Sequence, residues 1–233
     1  PRSTLFPYTT LFRSGRDLAT NYDVMPQDNV PNAMMLEVHF YSPYNFTMMT
    51  KDESWGNQAY YWGAGNHFSG SKHNVTWGEE AYMQSQMRQM RQRYTSKGIP
   101  VIMGEFGTLW RTMPEGESQE KHNASIREHY RYLHWLCKEL GGIVPMTWDT
   151  NYRDQQGTKG CMTIVDRKNL TVYGTYALEG INEIYPRPTE TSVTPIKLSQ
   201  PQREDVYTLQ GIRLNTPPTT KGIYIVNGRK HLR

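Results

Sequence analysis

The sequence predicts an α/β protein built on a parallel sheet, followed by a small β appendage. Three observations support this prediction. Between residues 34 and 184 a strand, a loop and a helix follow one another three times, which is typical of a parallel sheet. The strands are nearly continuous apolar runs, which favours burial on both faces. Beyond a stretch rich in Pro, Thr and Ser at residues 186–201, the pattern changes to strand-like alternation.

Each predicted strand is a short apolar run between turn residues. The first covers residues 34–41 (MMLEVHFY), the second residues 101–106 (VIMGEF) and the third residues 142–148 (GIVPMTW). Pro100 keeps the preceding helix from continuing into the second strand, and Gly141-Gly142 ends the helix before the third. Short right-handed connections place such strands side by side, with their C-terminal ends at one edge.

The predicted helices carry apolar side chains at helical spacing. In the first, at residues 79–94, three methionines and a tyrosine share one face, a pattern that is far more often core packing than a cofactor site. The second helix covers residues 118–140 and the third residues 175–184. The apolar positions are Met83, Met87, Met90 and Tyr94; then Ile126, Tyr130, Leu133, Cys137 and Leu140; then Ala177, Leu178, Ile181 and Ile184.

The two ends of the chain have patterns of their own. Residues 1–14 (PRSTLFPYTTLFRS) are similar, in order and at every position, to a translated short-read sequencing adapter. The residue types would also suit a strand, but chance does not account for a full match, so we expect this segment to pack poorly. Residues 15–185 then form the main domain, residues 186–204 a linker and residues 205–233 a β-hairpin tail. Asn227-Gly228 is the turn signal of that hairpin.

Composition excludes several classes of protein. The chain has 233 residues and a net charge of +4 without a Lys/Arg stripe, so no nucleic-acid surface is predicted. No apolar run reaches the ~20 residues of a membrane helix. Cys137 and Cys161 form neither a disulfide framework nor a CxxC site, and the seven histidines lack metal-ligand spacing. Since glycine-rich phosphate loops are missing too, we expect no metal and no cofactor.

Polar side chains line one face of the first strand, and a carboxylate ends the second. Glu37, His39 and Tyr41 alternate with apolar neighbours. Groups of this kind inside a protein are either hydrogen-bonded to one another or functional, and this strand alone leaves both readings open. Glu105 is the sharper signal, because it follows an apolar run and lies between two glycines, at the strand end where barrel enzymes carry catalytic groups.

Aromatic residues are concentrated in the long loop at residues 42–78, which holds eight of them. Loops of this kind are either binding surfaces or self-packed Ω-loops. Trp148 ends the third strand, where it is either a cap on the core or a flat platform for a sugar ring. Trp55 and Trp62 of the loop, together with Trp148, are therefore candidate substrate-binding residues.

Three motifs resemble glycoside hydrolase family 5, the cellulase family of clan A (β/α)8 barrels. They are His39-Phe40-Tyr41 on the first strand, the Gly-Glu-Phe-Gly run at residues 104–107 and the strand-final Trp148. The resemblance spans about residues 16–185. It implies the C-terminal part of a (β/α)8 TIM barrel, about three βα units long, similar to enzymes of gut or rumen Bacteroidetes.

The resemblance also implies roles for individual residues. Glu105 matches the catalytic nucleophile. His39 and Tyr41 match residues that position this nucleophile and form hydrogen bonds on the nucleophile side of the site. Trp148 matches the residue that stacks beneath the sugar at the cleaved bond. The expected partner is a β-glucan polysaccharide or oligosaccharide.

The sequence departs from the family at the general acid/base. Family members carry this Glu in an Asn-Glu-Pro motif, whereas the only Asn-Glu pair here, Asn182-Glu183, lies on a predicted amphipathic helix. Residues 15–185 also number 171, fewer than the ~200 of a complete barrel. We therefore expect a truncated and inactive fragment without its acid/base. Glu37 lies roughly 7 Å deeper in the barrel than His39 and is badly placed to replace it.

The function implied by the resemblance is that of a retaining endo-β-1,4-glucanase. Xyloglucanase or mannanase specificity stays open, and so does a different class, a non-catalytic carbohydrate-binding remnant. The tail is similar to a shortened C-terminal sorting segment, which implies an extracellular or cell-surface location; no signal peptide can be read in this chain. Because a three-stranded sheet has open edges, we also expect non-specific self-association.

Overall fold

The structure is a computed structural model that describes residues 33–151, 160–186, 206–214, 218–226 and 229–232. The chain divides into two compact units, Pro1–Arg187 and Pro188–Arg233. The division falls within the predicted linker. None of the helices in the described ranges has the length and hydropathy needed to cross a bilayer.

The first unit alternates strands with helices, as predicted. The first predicted helix is one residue shorter at each end, the second is one residue shorter at its start, and the third has the predicted bounds. In chain order the elements are β1 (Leu36–Phe40), α1 (Tyr44–Thr47), α2 (Glu80–Arg93), a 3₁₀ turn (Thr95–Lys97), β2 (Val101–Phe106), α3 (Gln119–Leu140), β3 (Ile143–Thr147), β4 (Val165–Asp166), β5 (Thr171–Val172) and α4 (Thr175–Ile184).

The three long strands form one parallel sheet in the order β1-β2-β3, which confirms the predicted topology. Two pieces were not predicted, namely α1 and the β4–β5 hairpin. Elements of two to four residues are too short to show a hydrophobic period, so the sequence pattern does not predict them.

One face of this sheet is buried beneath the helices. The methionine stripe of α2 is fully buried there, as predicted, together with the apolar stripe of α3. The opposite face is open along β3, where Val144 and Met146 are 51 % and 48 % exposed. The prediction that both faces are buried is therefore wrong for the described residues, because the helices cover only one side of the three strands.

A buried cation anchors the long loop that follows β1. Arg111 is fully buried, and its guanidinium donates to the backbone carbonyls of Phe46, Met49, Ala59 and Leu109 at 2.7–3.4 Å. Burial lowers the pKa of Arg111 to about 10, which still leaves it charged at neutral pH. Hydrogen bonds from its backbone to a single buried side chain therefore help to fix the shape of the loop.

The second unit is a four-stranded antiparallel sheet in the order β7-β6-β8-β9. Pairing of Val226 with Arg229 leaves a two-residue connection, as the hairpin signal predicted, although Asn227-Gly228 themselves lie outside the described residues. The predicted hairpin is thus part of a larger sheet. Its strands are β6 (Val206–Thr208), β7 (Arg213–Leu214), β8 (Ile223–Val226) and β9 (Arg229–Leu232).

Some sequence predictions fall outside the described residues. They are the adapter-like segment at residues 1–14, the connecting residues that follow it up to position 32, and the linker from residue 187 to residue 204.

Two fully buried histidines of α3 make stability depend on pH. His122 Nδ1 lies 2.7 Å from the Tyr60 carbonyl. Nε2 accepts from the backbone N–H of Arg111 at 3.0 Å, so the ring is neutral. Burial lowers the pKa of His122 from 6.5 to about 3, with a further contribution from the Arg111 charge, and burial likewise lowers the pKa of His129 to about 3. Below pH 6.5 the unfolded chain therefore binds protons that the folded chain does not.

We expect the free energy of unfolding to fall by about 2 kcal/mol per buried histidine between pH 7 and pH 5. Urea unfolding followed by tryptophan fluorescence at several pH values measures this slope. His231→Gln, which changes an exposed histidine on β9, is the control and should leave the slope unchanged. Stability that stays flat from pH 7 to pH 5 would contradict the neutral assignment.

Candidate active site

An additional residue in β2 brings Glu105 onto the same face as His39. Val38 lies opposite Met103, and the next pair along is His39 opposite Glu105, so Gly104 is an extra residue on β2. A β-bulge of this kind re-aims the side chain that follows it. Under strict alternation Glu105 would instead point towards the helices.

Two side chains, Tyr41 and His39, contact the Glu105 carboxylate, and Glu37 contacts the other side of the His39 ring. The Tyr41 hydroxyl donates to Glu105 Oε2 at 3.2 Å. His39 Nδ1 lies 3.3 Å from the same oxygen. The other ring nitrogen, Nε2, lies 2.8 Å from Glu37 Oε1. The result is a connected set of a phenol, two carboxylates and an imidazole near the C-terminal ends of β1 and β2.

The electrostatics of Tyr41 keep it a hydrogen-bond donor. Burial raises its pKa, and the charge of Glu105 together with the hydrogen bond to Glu105 raises it further. Ionised Tyr41 would place two negative charges side by side. Tyr41 therefore stays protonated and directs its O–H at Oε2 of Glu105.

The sequence left open whether Glu37 and His39 are hydrogen-bonded to each other, and the structure brings them into contact. The alternation of β1 places both on one face, but Glu37 is one step deeper, and spacing alone does not show that its side chain folds back to the ring. The available signal is Gly104, since a glycine within a strand marks a bulge or a close approach. A Cβ at Gly104 would lie 2.2 Å from Glu37 Oε1, so the carboxylate occupies the space that a side chain would fill.

Two of the three candidate tryptophans are exposed. Trp148 follows β3. Its backbone N–H donates to the Phe106 carbonyl at 2.8 Å, and its side chain is 45 % exposed. Trp55 is 65 % exposed and contacts Tyr44, with ring centroids 6.2 Å apart. Both of these loop aromatics line a cavity of about 540 Å³ that asparagine side chains and Trp77 also line. Rings beside amide groups are suited to contacting sugars.

The prediction that Trp62 binds substrate is wrong. Its side chain is fully buried, and its indole N–H donates to the Gly78 carbonyl at 2.9 Å. The ring lies edge-on to His129 of α3 at 4.9 Å between centroids. Trp62 therefore packs the long loop against α3 and cannot reach a sugar.

Parallel βα units that collect a carboxylate, an imidazole and a phenol at the C-terminal strand ends are the building plan of (β/α)8-barrel enzymes. The family model described as "Cellulase (glycosyl hydrolase family 5)" matches residues 9–154. The chain belongs to this family of glycoside hydrolases. Its three-stranded sheet is accordingly three βα units of a TIM barrel.

The similar proteins include xyloglucan-active enzymes. A xyloglucan-specific endo-β-1,4-glucanase of Bacteroides ovatus is 33 % identical over 59 % of this chain and 26 % of its own length. A xyloglucan-specific β-1,4-glucanase from a ruminal metagenomic library, solved with the oligosaccharide XXLG, is 43 % identical, with a TM-score of 0.57 over 64 % of this chain and 38 % of its own.

The solved Bacteroides ovatus xyloglucanase in complex with a XXXG heptasaccharide is 28 % identical, with a TM-score of 0.57 over 71 % of this chain and 32 % of its own. The chain thus spans only about a quarter to two-fifths of the length of these relatives.

A matched pair of tryptophan variants compares a ring that packs the core with a ring that is exposed. We expect Trp62→Ala to lower the free energy of unfolding by about 3–5 kcal/mol, because it leaves a large buried cavity and an unsatisfied Gly78 carbonyl. Trp55→Ala should change stability by less than about 0.5 kcal/mol, because the ring is mostly exposed. Urea unfolding measures both. Equal stability losses would contradict this division.

Proposed function

We propose that this chain supplies the nucleophile side of a retaining β-1,4-glycan hydrolase. The observation that carries the proposal is the double contact to Oε2 of Glu105, from the Tyr41 hydroxyl and from Nδ1 of His39. The Tyr41 donor holds Oε2, the His39 ring lies against the same oxygen, and Oε1 is left for the attack on a sugar. The family supports the same reaction class.

In this mechanism Glu105 attacks the anomeric carbon of a bound glucan. The carbon–oxygen bond to the leaving sugar breaks, an ester bond to Glu105 forms, and a general acid gives the leaving oxygen its proton. Water activated by the same group then attacks the anomeric carbon and frees Glu105. Two inversions restore the original anomeric configuration. Tyr41 holds the carboxylate before the attack and again after its release.

The proton donor is the part of this reaction for which the described residues offer no candidate. Retaining enzymes place two carboxyl groups roughly 5–5.5 Å apart across the cleaved bond. Glu37 is engaged by the imidazole on the far side of His39, and the sequence contains no Asn-Glu-Pro. We therefore propose that the 233-residue chain alone is an inactive fragment and that the donor belongs to further βα units, such as its longer relatives have.

Xyloglucan is the proposed substrate among the β-1,4-glucans. The support is that two of the similar proteins are xyloglucan-specific by name. Trp148 is proposed to stack beneath the sugar at the cleaved bond, and Trp55 to contact a more distant sugar unit. A linear cellulose-type glucan and mannan are the alternatives.

A non-catalytic carbohydrate-binding role is the second candidate function. The cavity beside Trp55 and Tyr44 favours it, because exposed rings and amide side chains do not need Glu105 to hold a sugar. An extracellular or cell-surface location is proposed from the likeness of the tail to a sorting segment.

Joining the missing units to this chain tests the catalytic proposal. Residues 33–233 are fused behind the preceding βα units of the ruminal metagenomic xyloglucanase, which then supplies the general acid but not the nucleophile. We expect the fusion to hydrolyse xyloglucan with retained anomeric configuration, measured by NMR of the first product. The unfused chain should show no turnover on xyloglucan, carboxymethylcellulose or mannan, because acid–base assistance worth ~10²–10⁴-fold and part of the cleft are missing.

In the fusion, Glu105→Gln should lower kcat by about 10³-fold or more, because the amide is not a nucleophile. Glu115→Gln, in an exposed turn after β2, is the matched control and should leave kcat unchanged. Hydrolysis by the unfused chain, or an inverted product from the fusion, would refute the assignment.

Self-association of the chain is proposed from its open sheet. Within the described residues β1 and β3 each pair only with β2, and Val144, Met146 and Trp148 are exposed beside the β3 edge. We expect light scattering to show a mass that rises with concentration, and Val144→Glu with Met146→Glu to shift it towards the monomer. Leu170→Glu, which changes an equally apolar residue with 87 % exposure outside this sheet, is the control. A wild-type monomer at all concentrations would contradict the proposal.

A further inference from the structure

We propose that Glu37 is a positioning residue that acts through His39 on the nucleophile. The role of Glu105 as nucleophile is taken from the proposed function, whereas the link between Glu37 and His39 stands on its own geometry. In this arrangement Glu37 holds a proton on Nε2 of His39, and the ring presents Nδ1 to Glu105.

The first observation is the order of the three groups. Glu37 Oε1 lies 2.8 Å from Nε2, and Nδ1 lies 3.3 Å from Glu105 Oε2, so the imidazole bridges two carboxylates through its two nitrogens. The His39 side chain is only 14 % exposed, which limits competition from water. A carboxylate on one ring nitrogen fixes the tautomer and the orientation of the ring, as it does behind metal-bound and catalytic histidines.

The second observation is the space that β2 provides for this carboxylate. A Cβ on Gly104 would lie 2.2 Å from Glu37 Oε1 and 3.1 Å from its carboxyl carbon. The strand residue that creates the bulge therefore also leaves room for Glu37. The same glycine thus serves both contacts of His39, one by turning Glu105 inwards and the other by admitting Glu37.

The chemistry follows from the proton on Nε2. With Nε2–H donated to Glu37, the plane of the ring is fixed, and so is the position of Nδ1 beside Oε2 of Glu105. The titratable groups that face the ring are Glu37 from β1 and Glu105 from β2, and the Tyr41 hydroxyl donates to the same oxygen of Glu105. Glu37 in this way sets the orientation in which His39 meets the nucleophile.

Nitrogen-15 NMR of the histidine rings tests the link in the full chain at neutral pH. In the wild type the Nε2 resonance of His39 should have the shift and the one-bond proton coupling of a fully protonated nitrogen. Glu37→Met removes the acceptor at similar length, and Gly104→Ala displaces it while keeping it in the chain. Both variants should lose that signature and give a shift averaged between the two tautomers. Tyr41→Phe, which leaves the Glu37 contact intact, is the control and should keep it.

A tautomer-averaged His39 in the wild type would overturn the proposal, as would folded variants that keep the wild-type signal. If Glu37→Met fails to fold, Gly104→Ala decides, because the three atoms nearest to its added methyl group all belong to the flexible side chain of Glu37. If both variants fail to fold, the wild-type Nε2 signal decides by itself. The measurement needs no turnover, so its failure leaves the proposed function standing, and an inactive fusion leaves the Glu37 link standing.

Discussion

The extra residue in β2 is the constraint on which the site depends. Met103 and Phe106 are both fully buried beneath the helices, yet Glu105 between them must leave that side. A carboxylate forced into the same apolar layer would cost several kcal/mol unless it were paired. The bulge at Gly104 removes this conflict, because it keeps both core residues in place and turns only Glu105 towards His39. The six residues of β2 thereby supply both core side chains and the carboxylate of the site.

The aromatic loop depends on a different kind of support. Arg111 binds backbone carbonyls from three parts of the chain, and Trp62 packs against α3 through His129. A buried cation without a carboxylate partner is costly unless carbonyl dipoles surround it. Three of those carbonyls, of Phe46, Met49 and Ala59, come from the loop itself, so the loop and the cation stabilise each other. The exposed ring of Trp55 is thereby presented by a rigid frame rather than by a free segment.

Much of the first unit was predictable because its elements are long and strongly periodic. The methionine stripe of α2, the bounds of α4 and the order of the three parallel strands all follow from spacing and from short connections. The grouping of Glu105 with Tyr41 also follows, since both lie at C-terminal strand ends. Trp62 shows where such reasoning stops, because its burial is decided by His129, which is 67 positions away in the chain. Glu37 shows the same limit, since alternation places it on the face of His39, but the room that Gly104 of β2 leaves for its carboxylate cannot be read from the pattern of β1.

The proposed nucleophile side of the site is local, whereas complete catalysis is not. Glu37, His39, Tyr41 and Glu105 come from two adjacent strands, so their mutual geometry needs only β1, β2 and the helices that pack on them. A proton donor has to approach from the opposite side of the cleaved bond, and in a closed barrel that side is formed by strands further round the ring. The orientation of Glu105 can therefore be set within three βα units. These three units alone do not make Glu105 reactive towards a glycosidic bond, because an unprotonated sugar alkoxide is too poor a leaving group for a carboxylate to displace alone.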